Sequence, residues 1–221
     1  MGTSTRHIAI KEIYKTLFSV FGPQKWWPAK TRLEIIVGAI LVQNTNWNNT
    51  EKAISNLRKH NLLSIERLRS VSTRQLSLLV KPSGYFRVKT KRLKNFVYFL
   101  FKEFDGDLKK MAKEEAWALR QKLLSVNGIG PETADSIILY AFNKPIFVVD
   151  AYTRRIFSRH KLAKGTEDYR TLQNLFLESL DSNVAIFNEY HALIVHLAKT
   201  FCKSKKPLCK QCPLRDFSHT I

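Results

Sequence analysis

Residues 117–142, WALRQKLLSVNGIGPETADSIILYAF, decide the fold. They read as a helix, a turn Val126-Asn127-Gly128-Ile129-Gly130, and a second helix opened by Pro131, whose missing N–H costs nothing at a first helical position. Two glycines in so short a turn let the backbone take positive φ and approach a ligand closely. Their amides, with the positive end of the second helix, make an uncharged site suited to a phosphate. A plain glycine-rich turn between helices is the simpler reading of the same residues. A dinucleotide fingerprint does not fit, because the preceding segment is helical and the third glycine is missing.

Outward from this hairpin, helical periodicity recurs almost throughout and strand-like alternation is scarce, which predicts an all-α fold. Thr31 and Glu34 stand at capping-box spacing before Leu33, Ile36, Val37, Ile40 and Leu41, a helix ending near Gln43. Leu93, Phe96, Val97, Leu100, Phe101 and Phe104 share one face of another helix, with Lys89, Lys91, Arg92, Lys94 and Lys102 largely on the face expected to meet solvent or phosphate. Further helices are expected at about 6–20, 50–60, 73–80, 113–125, 131–142, 151–160, 171–180 and 184–201. The continuous apolar segment Pro145-Ile146-Phe147-Val148-Val149 instead reads as short, buried and extended. It delivers the chain to Asp150, at the start of the next helix, where the plainest role for an aspartate is an N-cap.

The chain has 221 residues and carries 37 Lys and Arg against 18 Asp and Glu, a net charge of +19. That balance suits a polyanion, either nucleic acid or an anionic membrane surface. No apolar run is long enough for a membrane span and no secretory signal is recognisable, so a cytoplasmic protein is expected, nucleoid-associated in a bacterium. The only cysteines, Cys202, Cys209 and Cys212, lie together near the end, which argues for a local metal site in a reducing compartment over a disulfide framework.

Through Val126-Asn127-Gly128-Ile129-Gly130-Pro131-Glu132-Thr133-Ala134 and Phe147-Val148-Val149-Asp150, the chain resembles the helix-hairpin-helix DNA glycosylase superfamily, the relatives of endonuclease III, from about residue 25 onward. The resemblance implies a base-excision repair enzyme acting on double-stranded DNA with a damaged base, in which Gly128, Ile129, Gly130 and Thr133 meet the DNA backbone and Asp150 is catalytic. Breaking an N-glycosidic bond builds positive charge on the deoxyribose, and an ionised carboxylate there stabilises it and can orient the attacking water. Bifunctional members carry a lysine in the second hairpin helix. Here that position is Glu132, which cannot form an imine, so base hydrolysis without efficient strand cleavage is expected.

Trp26-Trp27-Pro28, then Gln43-Asn44-Thr45-Asn46-Trp47, then Lys81-Pro82-Ser83-Gly84-Tyr85 ahead of Lys89, Lys91, Arg92 and Leu93, are similar to the 3-methyladenine glycosylases of the endonuclease-III-like branch. By that resemblance Trp27, Pro28 and Trp47 line the base pocket, and Gln43 enters the space left by the flipped nucleotide. Electron-rich rings favour a base made cationic by alkylation, although packing in the core is the commoner use of any one tryptophan. Trp47 stands where an aromatic of another size is usual in that branch.

The cysteine spacing is close to that of the [4Fe–4S] loop of endonuclease III, whose fourth cysteine position is Ser218 here. Three readings stay open: a cluster completed by serine, water or His219, which the family-like spacing and position favour; a zinc site of three cysteines and His219; or a loop of free thiols. The exposed-looking Lys203, Lys205, Lys206 and Lys210 would meet phosphates if such a loop is ordered.

These readings predict two helical domains flanking a DNA-binding cleft: a helical barrel at 30–138 with the helix-hairpin-helix at 117–142, and a second domain of 1–29 with 139–221 ending in the loop 202–218. The protein is expected to be a monomer. An endonuclease III-type glycosylase and lyase acting on oxidised or mismatched pyrimidines is the nearer rival, and a non-catalytic DNA-binding module the rival of another class. His7, His60, His160, His191 and His196 have no spacing that compels a ligand role and read as surface or packed residues.

Overall fold

The computed structural model describes residues 3–27 and 29–220. Among them there is no strand. The helices are α1 (Thr3–Phe21), α2 (Arg32–Leu41), α3 (Trp47–Lys59), α4 (Ile65–Ser70), α5 (Thr73–Leu79), α6 (Phe86–Phe104), α7 (Leu108–Ala112), α8 (Ala116–Leu124), α9 (Pro131–Ser136), α10 (Ala151–Arg159), α11 (Tyr169–Ser179) and α12 (Val184–Thr200). Their starts are set locally, since Thr31, Asn46, Ser64, Ser72, Asp168 and Asn183 each accept an amide of the first turn. Each such cap contributes about 1 kcal/mol. Among the described residues no helix is long and apolar enough to cross a membrane.

The chain divides into two compact units, Trp27–Lys144 and Met1–Trp26 with Pro145–Ile221. In the first, the two hairpin helices are fastened by a buried fork: Arg120 of α8 donates to both carboxylate oxygens of Asp135 in α9, at 2.7 and 3.4 Å. Asp135 is fully buried, so the pairing is what makes its charge tolerable. The second hairpin helix runs to residue 142 as expected, but not as a uniform α-helix. After Ser136 the backbone widens into a π-helical turn, Ile137–Ala141.

The basic face of α6 is a second correction. Lys89 is 1% exposed, and its ammonium donates to the carbonyl of Ser83 at the end of a 3-10 turn, Lys81–Ser83. Lys94 caps the end of α4 by donating to the carbonyls of Leu68 and Arg69, each at 2.9 Å, and of Val71. Both cations are thus spent on carbonyls that a short helix leaves without partners. Lys91 and Lys102 are exposed, as expected of that face.

In the other unit, Ile10, Ile13 and Leu17 of α1 pack with Phe147, Phe157, Phe176, Phe187 and Tyr190 in a core that is closed to solvent. Phe147 and Phe176 stack with centroids 4.1 Å apart, and the buried Tyr190 hydroxyl donates to the Ile10 carbonyl at 2.9 Å. Residues 146–149 are buried but join no sheet, so their backbone needs other partners. Side chains of α11 supply them. Gln173 donates to the Phe147 carbonyl at 2.7 Å, and the Tyr169 hydroxyl accepts from Val149 N–H at 3.2 Å. The chain therefore reaches Asp150 along a fixed path.

Candidate active site

Asp150 is the N-cap of α10, with its backbone extended at φ −116° and ψ −177°. Its Oδ1 accepts from the Thr153 amide at 2.7 Å and the Thr153 hydroxyl at 2.9 Å, and Thr153 reaches back toward the Asp150 amide to complete a capping box. Oδ2 faces the imidazole of His191 in α12, with Nε2 3.5 Å away. Only 10% of the Asp150 side chain is exposed. Burial alone would push its pKa up, but His191 and Thr153 outweigh burial and hold the carboxyl below its ordinary value. The N-cap and the charged carboxylate are thus one and the same device. His191, read from sequence only as a surface or packed residue, is packed and lies beside the carboxylate; the pairing spans two helices, so spacing could not reveal it.

The hairpin turn sits at φ +96° for Gly128, and a Cβ there would collide with the Arg92 side chain, so both conformation and space require glycine. The Ile129 side chain is buried and its N–H closes the turn on the Val126 carbonyl at 3.0 Å. Ile129 therefore shapes the turn, while Gly130 is exposed ahead of Pro131. Gln43 is bound to this turn. Its amide nitrogen donates to the Gly128 carbonyl at 3.1 Å and to the Thr133 hydroxyl at 2.8 Å, and its oxygen accepts from Arg92. Glu132 is exposed in the first turn of α9.

Trp27 and Trp47, both half-buried, pack edge to face with centroids 5.1 Å apart. No parallel slot lies between these two rings, so a flat ligand would stack on an outer face of one of them. Tyr140, which the sequence did not single out, lies against Trp27 at 4.9 Å. It comes from the π-helical turn, which no sequence period announces. Pro28, the third expected pocket residue, lies outside the described residues.

Cys202, Cys209 and Cys212 line one cavity together with His219, Arg159 and His160. Two sulfurs already receive N–H donors: Arg159 reaches Cys202 Sγ at 3.3 Å and the Leu214 amide reaches Cys212 Sγ at 3.4 Å. Such donors suit thiolates bound to a metal cluster. Ser218 does not line this cavity; its carbonyl accepts from His160 Nδ1 at 3.2 Å, and His219 stands at the wall instead. Among the described residues no three His, Cys, Asp or Glu side chains are grouped as a metal ion would need, and the three cysteines are free thiols. Lys203, Lys205, Lys206 and Lys210 are exposed around it.

A carboxylate held ionised where a helix begins, in a chain this basic, suits the cutting of a base from DNA, and the comparisons place the chain among base-excision DNA glycosylases. The chain belongs to the HhH-GPD superfamily of base excision DNA repair proteins, whose family model matches residues 37–182. It is 46% identical over 210 residues to a Methanocaldococcus jannaschii protein named as a DNA repair glycosylase, covering 94% of each chain. Endonuclease III of Sulfolobus acidocaldarius is 28% identical, over 82% of this chain and 79% of its own. Among solved structures, the H. pylori 3-methyladenine DNA glycosylase bound to 1,N6-ethenoadenine superimposes with a TM-score of 0.74 at 26% identity, covering 90% of this chain and 98% of that one. A trapped endonuclease III–DNA covalent intermediate gives a TM-score of 0.82 at 15% identity, covering 98% and 95%, a likeness of fold.

Proposed function

We propose that the chain is a monofunctional DNA glycosylase that takes an alkylated purine out of double-stranded DNA and hydrolyses its N-glycosidic bond, working as a monomer. The observation that carries this reading is Asp150, ionised at the head of α10, in a chain with Glu132 where a lyase would carry lysine. The C1′–N bond breaks with its electron pair leaving on the base. The Asp150 carboxylate stabilises the positive sugar and orients a water whose oxygen bonds to C1′, the released proton passing to the base or to solvent. Gly128, Gly130 and Thr133 serve the DNA backbone, and Gln43 acts at the flipped nucleotide or as the brace of the hairpin. An outer face of Trp27 or Trp47, with Tyr140 behind, would receive the base, and a cationic alkylpurine gains most from an electron-rich ring. The H. pylori relative, which holds an ethenoadenine, supports this substrate class.

Cys202, Cys209 and Cys212, with His219 as fourth donor, would hold a [4Fe–4S] cluster. When bound it would order the loop that presents Lys203, Lys205, Lys206 and Lys210.

Several relatives named endonuclease III favour a second reading, a glycosylase and lyase acting on damaged or mismatched pyrimidines. A panel of duplexes, each with one defined lesion, assayed with and without alkali and with borohydride, separates the two. Base loss from alkylpurine duplexes with nicking only after alkali is the expected result. Nicking without alkali, or a borohydride-trapped adduct, would establish the lyase, and no base loss from any duplex would leave a DNA-binding module.

A further inference from the structure

Asp150 presents two unlike oxygens. Both contacts from Thr153 converge on Oδ1, which leaves Oδ2 to His191 Nε2 at 3.5 Å. His191 lies in the 17-residue helix α12, is 6% exposed, and is followed by the buried apolar run Ala192-Leu193-Ile194-Val195. An imidazole at such a depth costs free energy that an aliphatic side chain would not, unless its polar edge is used. The carboxylate beside it is its use: Thr153 fixes one oxygen, and a second fixed neighbour stops the carboxylate plane from turning about its last torsion.

We propose that His191 is a positioning residue for the glycosylase reaction, holding Oδ2 of Asp150 in the orientation from which it serves the sugar. This rests on the catalytic role given to Asp150 above. His191 acts through Asp150 and need not touch DNA, so its removal should slow the chemical step and spare binding. Outer partners that orient the ligands of metal sites are worth about 10–100-fold, and a loss of that order is expected of a group that orients the Asp150 carboxylate.

The test compares the wild-type chain with His191→Ala, His191→Gln and Asp150→Asn. Single-turnover base release is measured on the best duplex of the lesion panel, affinity on an uncleavable abasic-analogue duplex, and folding by thermal unfolding. His191→Ala should lose about 10–100-fold in rate with affinity unchanged, and His191→Gln, which keeps an N–H near the Nε2 position, should recover most of it. Without any substrate, the ¹⁵N signal of His191 Nε2 should move in Asp150→Asn. Alanine at wild-type rate, a rate loss matched by lost affinity, glutamine no better than alanine at equal stability, or an unmoved Nε2 signal would each overturn the role. An active Asp150→Asn, or a wild-type chain that releases no base, overturns the catalytic reading and this one with it; a normal His191→Ala beside a dead Asp150→Asn overturns this one alone.

Discussion

Gln43 Nε2 lies 2.8 Å from Thr133 Oγ1, so the side chain just beyond α2 is bonded to the first turn of α9. The same nitrogen reaches the Gly128 carbonyl and the oxygen takes a guanidinium N–H of Arg92, which ties three segments of one unit through a single amide. Gln43→Ala removes all three bonds. The expected loss is about 1–3 kcal/mol of unfolding free energy, read as a lower urea midpoint at unchanged slope, with weaker binding to an abasic-analogue duplex because the hairpin loses its brace. Weaker binding at full stability would instead assign Gln43 to DNA alone.

Asp150→Asn separates charge from shape. Asparagine caps a helix about as well as aspartate, so the start of α10 should survive and the melting temperature should barely move. Base release should fall by at least about 100-fold, as when a single electrostatic stabiliser is removed elsewhere, while duplex affinity is kept. Because the carboxyl is held below its ordinary value of 3.8, wild-type base release should show no loss from Asp150 protonation until the pH drops beneath that value. A variant that unfolds, or that keeps its rate, would contradict this account.

The place of Asp150 was legible because two local signals meet there: an apolar, β-branched run ends, and a residue suited to capping precedes a helix. The all-α fold and the hairpin were legible for the same local reason. What stayed hidden is long-range. Periodicity gave the side of α6 from which Lys89 and Lys94 leave, but their acceptors sit on a 3-10 turn and on α4, and elements that short carry no readable period. Tyr140 meets Trp27 from a π-helical turn within what read as one plain helix, and His191 meets Asp150 only through the packing of α12 on α10.

Lys89 makes a pH dependence measurable. Burial, helped by the charge of Arg92, lowers its pKa from 10.5 to about 8. Below about pH 8 both the folded and unfolded chains carry the proton and the full cost of the buried ammonium is present; between about 8 and 10.5 the folded chain has released it while the unfolded chain holds it. Stability from this group therefore rises with pH across that window. Lys89→Met lacks the proton at every pH, so its unfolding free energy relative to wild type should decline as pH climbs from about 8 to 10.5. A difference that stays flat over that range would mean that the ammonium remains charged in the fold.

For the proposed cluster at the Cys202 loop, His219 and Ser218 are the two side chains that compete as fourth donor, and they are placed differently. His219 lines the cavity with the three sulfurs and its Nδ1 is 2.8 Å from the Phe217 carbonyl, which leaves Nε2 as the nitrogen with a free electron pair when Nδ1 carries the proton. The Ser218 carbonyl is turned to His160 instead. Protein purified without oxygen should be brown, with iron and acid-labile sulfide in equal amounts. His219→Ala should lose most of that iron while Ser218→Ala keeps it, and iron content and visible absorption report this without any activity assay. Iron lost from Ser218→Ala and kept in His219→Ala would make serine the donor. Wild-type protein free of iron yet active on DNA would show that the loop packs through its thiols, with Arg159 bonded to Cys202 as the tie that holds it to α10.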